Sequence, residues 1–233
     1  MNARYTINIL NNSRHAQDFF LFQEPARYAG ADSAVYSNSL YHRTLPPISE
    51  TGSILILELL PSSFAAAQAR LDPAPRAGLP SGQAMSCQPV RSARSGQRAP
   101  NAVTMSLGPE PELSAPRHHP GVGADAFRIS IPDYDAGRRP CNVGQAVRTG
   151  DGRMVLSSFI DAQPDSDIDC APRPRFYAGV GRRHAGTVID FDHSRDSAAL
   201  CDASEGHTTF NLIYGYRGDW IVEAVKGRPA WQS

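Results

Sequence analysis

Along this chain, apolar and polar positions alternate in short runs far more often than they recur at helical spacing. In YTINIL, Tyr5, Ile7 and Ile9 alternate with Thr6 and Asn8, the period of a strand with one covered face. DFFLFQ, residues 18 to 23, is apolar at consecutive positions and reads as a strand covered on both faces, closed by Pro25. Asn11-Asn12-Ser13 lies between the two runs, and short amide and hydroxyl side chains favour turns by bonding nearby backbone. An N-terminal hairpin or strand pair is therefore expected. SILILELL, residues 53 to 60, reads as a further buried strand ended by Pro61.

The same signals resume at FRISI, where Phe127, Ile129 and Ile131 face one way and Arg128 and Ser130 the other. NVGQAVR and RMVLSSF flank a Gly-Asp-Gly turn at residues 150 to 152, and Asp-Gly supplies the positive φ of a tight hairpin. RFYAGVG and TVIDFDH flank RRHAG, and TTFNLIY and DWIVEAV flank GYRG, predicting two more hairpins. Turn signals every 8 to 12 residues with almost no helical period predict an all-β fold, an antiparallel β-sandwich with a barrel-like closure as the alternative. One domain is expected over residues 1–233.

Between Pro61 and Pro120 lie ten of the nineteen prolines, which break ladders and helices alike. Residues 61–126 are accordingly expected to form long irregular loops within that domain. FAAAQAR, residues 64 to 70, is their one helix candidate, VTMSL their one strand candidate, and RSARSGQR, residues 91 to 98, their most linker-like piece.

Charge narrows the partners. Basic and acidic residues number 23 each, and every basic residue except Lys226 is arginine. A net charge of zero argues against nucleic acid and anionic membrane surfaces, which select a basic excess. No apolar run approaches the ~18 residues of a membrane span, and MNARYTINILNNS lacks the features of a secretory signal. The expectation is a soluble cytoplasmic protein, with signal-independent export left open.

Candidate chemistry concentrates in two acidic stretches. TVIDFDHSRDSAALCDASEGH, residues 187 to 207, holds Asp190, Asp192, His193 and His207. On a strand, Asp190 and Asp192 share one face ~7 Å apart while His193 takes the other, so the stretch reads as polar trim rather than a preassembled centre. In DAQPDSDIDC, Asp165, Asp167 and Asp169 form a loop run of the oxygen-rich kind that calcium favours. The helix-loop-helix calcium pattern fails, because Cys170 and Phe176 stand where glycine and an acid are required. Cys87, Cys141, Cys170 and Cys201 form no CxxC pair and read as free thiols in a reducing cytosol. Cys170 and Cys201 flank the predicted RFYAGVG/TVIDFD hairpin, so they are the pair expected to bridge first under oxidation. Arg217-Gly218-Asp219 reads as turn chemistry, and adjacent His118 and His119 diverge too far to hold a metal together.

No GxSxG, HExxH, GxxxxGK or strand-following GxGxxG occurs, and no reaction centre is legible. The leading expectation is a non-enzymatic binding or structural β-sandwich that meets a protein or carbohydrate partner, or a second copy of itself through edge strands. A calcium-dependent carbohydrate or surface binder, using Asp165, Asp167 and Asp169 with Tyr134, Trp220 and Trp231 as stacking faces, comes second. A metal-assisted hydrolase using Asp190, Asp192, His193 or His207 comes third.

Overall fold

The structure, a computed structural model, describes residues 4–30, 32–60, 63–70, 74–92 and 98–226. In chain order its strands begin with β1 (Tyr5–Asn11), β2 (Gln17–Gln23), β3 (Arg27–Ala29) and β4 (Tyr36–Leu45). The single-turn helix α1 (Ile48–Thr51) precedes β5 (Leu55–Leu59), β6 (Ser63–Ala69), β7 (Met85–Val90), β8 (Ala102–Leu107) and β9 (Pro111–Leu113). There follow β10 (Phe127–Ile131), β11 (Cys141–Arg148), β12 (Met154–Asp161), β13 (Ser166–Ala171) and β14 (Arg175–Val180). After β15 (Val188–Ile189) come helix α2 (Phe191–Arg195), β16 (Ala199–Asp202), β17 (His207–Tyr214) and β18 (Trp220–Lys226).

These strands make three sheets. The long one runs β16-β14-β2-β4-β12-β11-β6-β7, with β15 paired to β4; the smaller ones run β18-β17-β1-β5 and β3-β13-β10-β8-β9. One face of the long sheet covers both smaller sheets, each through its own apolar cluster. Ile7, Ile9 and Phe210 of the four-stranded sheet meet Phe19, Leu21 and Ala178 of the long sheet in the first. Val103, Phe127 and Ile168 of the five-stranded sheet meet Ala65, Val143 and Ile160 in the second. The other face of the long sheet buries Phe20, Phe22, Tyr177 and Ile189, against which Phe191 of α2 packs. The expected all-β layered architecture is therefore present, as one long sheet backing two short ones.

Local patterns hold where the partner is close in sequence. β11 and β12 pair antiparallel across the Gly-Asp-Gly turn, and Gly152 takes the positive φ of 87° that the turn requires. β17 and β18 do the same across GYRG, with Gly218 at 82°. β1 alternates buried and half-buried positions, and β2 is covered on both faces from Phe19 onward.

Other expectations are corrected by long-range pairing. β1 and β2 are not a hairpin: β1 pairs with β17 and β5, and β2 with β14 and β4 in another sheet. SILILELL supplies an edge strand rather than a fully buried one, and Ile56 is 62% exposed. FAAAQAR is β6, inside the long sheet between β11 and β7, because neighbours on both sides override alanine's helix preference. The middle segment thus contributes β6, β7, β8 and β9 rather than loops alone. Its prolines sit where sheets tolerate them: Pro89 on edge strand β7 and Pro111 at the first residue of β9. Most of RSARSGQR lies outside the described residues.

RFYAGVG and TVIDFDH do not form a hairpin either. β14 pairs with β16 and β2, whereas only Val188 and Ile189 of the second run form a strand, on β4. The Asp190 carboxylate then accepts from the His193 backbone N–H at 3.1 Å and starts α2. The period-2 alternation expected through His193 stops at residue 189.

Candidate functional site

Along β11, inward-facing positions alternate with outward-facing ones. Val143 belongs to the cluster under the five-stranded sheet, Val147 to the cluster under the four-stranded sheet, and Gln145 falls between them on the same face. A glutamine at this position breaks the apolar face where the two cores meet. It is 3% exposed, and the seam around it opens into a cavity of about 630 Å³.

The walls come from distant parts of the chain. Gln23 at the end of β2 faces Gln145, and its side-chain amide is fixed by donating to the Arg173 carbonyl at 2.7 Å. Tyr5 and Phe176, with ring centroids 5.4 Å apart, form an aromatic wall that Val147 extends. Pro172 and Pro174 close one side, Ser63 and Ser92 offer hydroxyls, the Ser204 hydroxyl donates to Asp202 at 2.5 Å, and Asp125 stands exposed at the rim. Burial pushes the Tyr5 hydroxyl above its ordinary pKa, so it remains a neutral donor and acceptor across the physiological range.

The polar groups here are incompletely paired. The Gln145 side-chain amide donates to Gln23 Oε1 at 3.5 Å, a long contact, and Gln145 Oε1, itself buried, has no hydrogen-bond partner among the described residues. A buried acceptor left in that state costs about 1–3 kcal/mol. Glu24 follows Gln23 and anchors the wall from its other side. It pairs with Arg173, lies 3.5 Å from Arg175, and accepts from the Tyr177 hydroxyl at 3.4 Å. Arg175 in turn donates to Asp202 at 2.8 Å, tying β14 to β16.

The acidic run that suggested calcium is already neutralised in part. Asp167 and Asp169 lie on β13 directly opposite Ser130 and Arg128 of β10. The Arg128 guanidinium grips Asp169 with two hydrogen bonds of 2.6 and 2.9 Å and reaches Asp167 at 3.4 Å; the Ser130 hydroxyl donates to Asp167 at 2.6 Å. Asp165 sits apart in the preceding turn with a φ of 53°. Among the described residues, no three of His, Cys, Asp and Glu come together as a metal-binding group.

The second acidic stretch is dispersed. Asp190 caps α2, Asp192 pairs with Arg195 at 3.4 Å on the surface, and His207 begins β17 with its ring against Phe210. Trp220 is packed on Phe19 and Tyr214 and donates to the Ser197 carbonyl at 3.1 Å. Tyr134 is half-buried and donates to Ala162 at 2.8 Å, and Trp231 lies outside the described residues. Arg217-Gly218-Asp219 closes the β17–β18 turn, where the Gly215 N–H bonds the Asp219 carbonyl at 2.8 Å.

All four cysteines are free. Cys170 is buried in the cluster under the five-stranded sheet and Cys201 in the cluster under the four-stranded sheet, so the hairpin that would bring them together is missing. Burial pushes the Cys201 thiol up to about 12 and the Cys87 thiol up to about 11; the Cys170 thiol is raised too, again chiefly by burial. Thiolates are the reactive form. Native protein at pH 8 is therefore expected to react slowly with a disulfide reagent, through half-buried Cys87 first, and with all four thiols only in denaturant. Peptide maps after mild oxidation should lack a Cys170–Cys201 link; finding one in folded protein would contradict the separation of the two cores.

Comparison with family models, curated proteins and solved structures finds no match to this chain.

Proposed function

We propose that this chain is a non-catalytic binding protein that takes a small ligand into the cavity at the seam between its two cores. One observation carries the reading. The cavity, at about 630 Å³, lies within the range of ~300–1,000 Å³ that small-molecule sites occupy, and a buried, underpaired glutamine lies in its wall. Aromatic and aliphatic side chains share the wall with six polar residues, Gln23, Ser63, Ser92, Asp125, Gln145 and Ser204. Catalysis receives no comparable support. The described wall holds no cysteine, histidine or lysine to pair as nucleophile and base, and its single acid is the exposed Asp125.

The test is a fragment library screened against the full chain by amide correlation NMR. Hits are expected to shift Gln145, Val147 and Phe176. Ser204→Trp, a change at an exposed position of the wall, should abolish those shifts without altering the circular dichroism. Perturbations confined to other surfaces, or none, would remove the reading.

A further inference from the structure

We infer that this chain forms a two-fold dimer by antiparallel pairing of β18 with the β18 of a second copy, joining their four-stranded sheets edge to edge. The observation is an uncovered edge. β18 ends the four-stranded sheet, and every residue from Ile221 to Lys226 is exposed, on both faces of the strand. Ile221 is 60%, Val222 41% and Val225 44% exposed, at a place where soluble proteins ordinarily put charge or proline.

The other edges of the described sheets are closed or short. β5 is bonded on its far side, where the Leu60 N–H donates to the Arg148 carbonyl at 3.1 Å and the Gly150 N–H to the Glu58 carbonyl at 2.8 Å. β7 carries Pro89, and its Ser86 hydroxyl and Gln88 amide bond to Leu113 of β9. β3 and β9 have three residues each, and β16 has four. The backbone of β18 is free on its outer side. The Tyr214 carbonyl accepts from Asn12 on the β1 side, and the Gly215 N–H donates to the Asp219 carbonyl on the β18 side. These directions alternate along a strand, so Ile221, Glu223 and Val225 bond to β17 while Trp220, Val222, Ala224 and Lys226 aim their backbone groups outward.

A second copy fits because WIVEAVK has the same pattern read in either direction. Centred on Glu223, antiparallel pairing sets Val222 beside Ala224, Ile221 beside Val225 and Trp220 beside Lys226 of the other copy. Apolar meets apolar next to the axis, and the outward residues exchange about eight backbone hydrogen bonds. Basic and acidic residues, 23 of each, cancel, so two copies approach without net repulsion. One pair opposes the contact, since Glu223 meets its own copy on the axis. Its carboxylate accepts from the Asn211 amide at 3.0 Å, and Asn211 accepts from Asn8 at 2.9 Å, which holds it on the sheet's outer face. Pairing consumes the edge, so assembly stops at two. A single strand pair is small beside the ~800 Å² per partner of a standard interface, so the dimer is weak and its population follows concentration.

The test is sedimentation equilibrium of the full chain from micromolar to millimolar concentration, where the mass is expected to rise from one chain toward two. Hydrogen exchange at the high end should slow at the Val222 and Ala224 amides and stay unchanged at Ile221 and Glu223, already bonded to β17. Ala224→Pro removes an outward N–H, which an edge strand tolerates, and should give a monomer with the parent's circular dichroism. If that variant does not fold, Val222→Lys, at an exposed position, should weaken association about tenfold. Glu223→Gln removes the like-charge pair and should tighten association about threefold. One chain's mass at every concentration, growth beyond two chains, slowed exchange confined to other amides, or a dimer that survives both Ala224→Pro and Val222→Lys would overturn the inference.

Discussion

Phe22→Ala is expected to cost about 4 kcal/mol, the middle of the range for emptying a buried phenylalanine site. Phe22 is fully buried and sits at the centre of an aromatic ladder, stacked on Tyr177 at 5.2 Å and on Phe20 at 5.3 Å, with Phe191 edge-on at 5.9 Å. Its removal opens a void that β2 cannot close, because the strand is bonded on both sides by β14 and β4. At roughly 3 °C per kcal/mol for a chain of this size, thermal melting should begin about 12 °C lower. Binding should weaken as well, since Phe22 precedes Gln23 and Tyr177 leans on Glu24 behind the same wall. Melts followed by circular dichroism and urea titration decide the matter. A loss under about 1 kcal/mol would mean that the ladder is not a packed unit.

Gly144→Ala tests the opposite fault, too much volume instead of too little. A Cβ there would lie 2.3 Å from the Ser158 carbonyl oxygen, 2.6 Å from the Tyr28 hydroxyl and 2.7 Å from Phe159 Cα. Two of those three atoms are backbone of the neighbouring strand, so no side chain can simply turn away. The expected cost is about 3 kcal/mol, at the upper end for overpacking. Part of it falls on the bond from the Tyr28 hydroxyl to the Ser158 carbonyl, 2.7 Å long, which ties β3 to β12. Gly123→Ala is the control. Its added Cβ meets nothing within 4 Å, and its melting temperature should match the parent's. Equal stability of the two variants would show that β11 and β12 are not as close as described.

What could be read in the chain follows from where each element's partners lie. The β11–β12 and β17–β18 hairpins declare themselves because turn and strands are contiguous. The partners of β1 are not contiguous, and nothing local in YTINIL points to residues 207 to 214. FAAAQAR was legible as a run of small residues but not as a strand. In β6, Ala65 and Ala67 pack on one face of the sheet and Phe64 and Ala66 on the other, a two-sided burial that composition does not reveal. Asp190 carried a signal that alternation overrode, since a short acid ahead of Phe-Asp-His-Ser-Arg is a plain helix start.

The cavity was least legible, because its wall runs from Tyr5 to Ser204 with no spacing to betray it. One trace existed. In CNVGQAVR, glutamine shares the parity of Cys141, Val143 and Val147, a polar residue placed on an otherwise apolar face. The acidic stretches drew attention by density. Asp190 caps a helix, Asp167 accepts from a serine, and Asp169 and Asp192 pair with arginines, which are the ordinary fates of charge on a folded surface.

The parallel pairing of β1 with β17 sets Ile7 beside Phe210 and Ile9 beside Leu212. A ribosome adding about 5–20 residues each second needs roughly 10–40 s to travel that far. Throughout that wait the nascent chain holds an amphipathic ribbon whose antiparallel neighbour β5 has emerged while the other side stays bare. Docking of β17 must then close a very long loop, and topologies that depend on such distant pairing fold slowly.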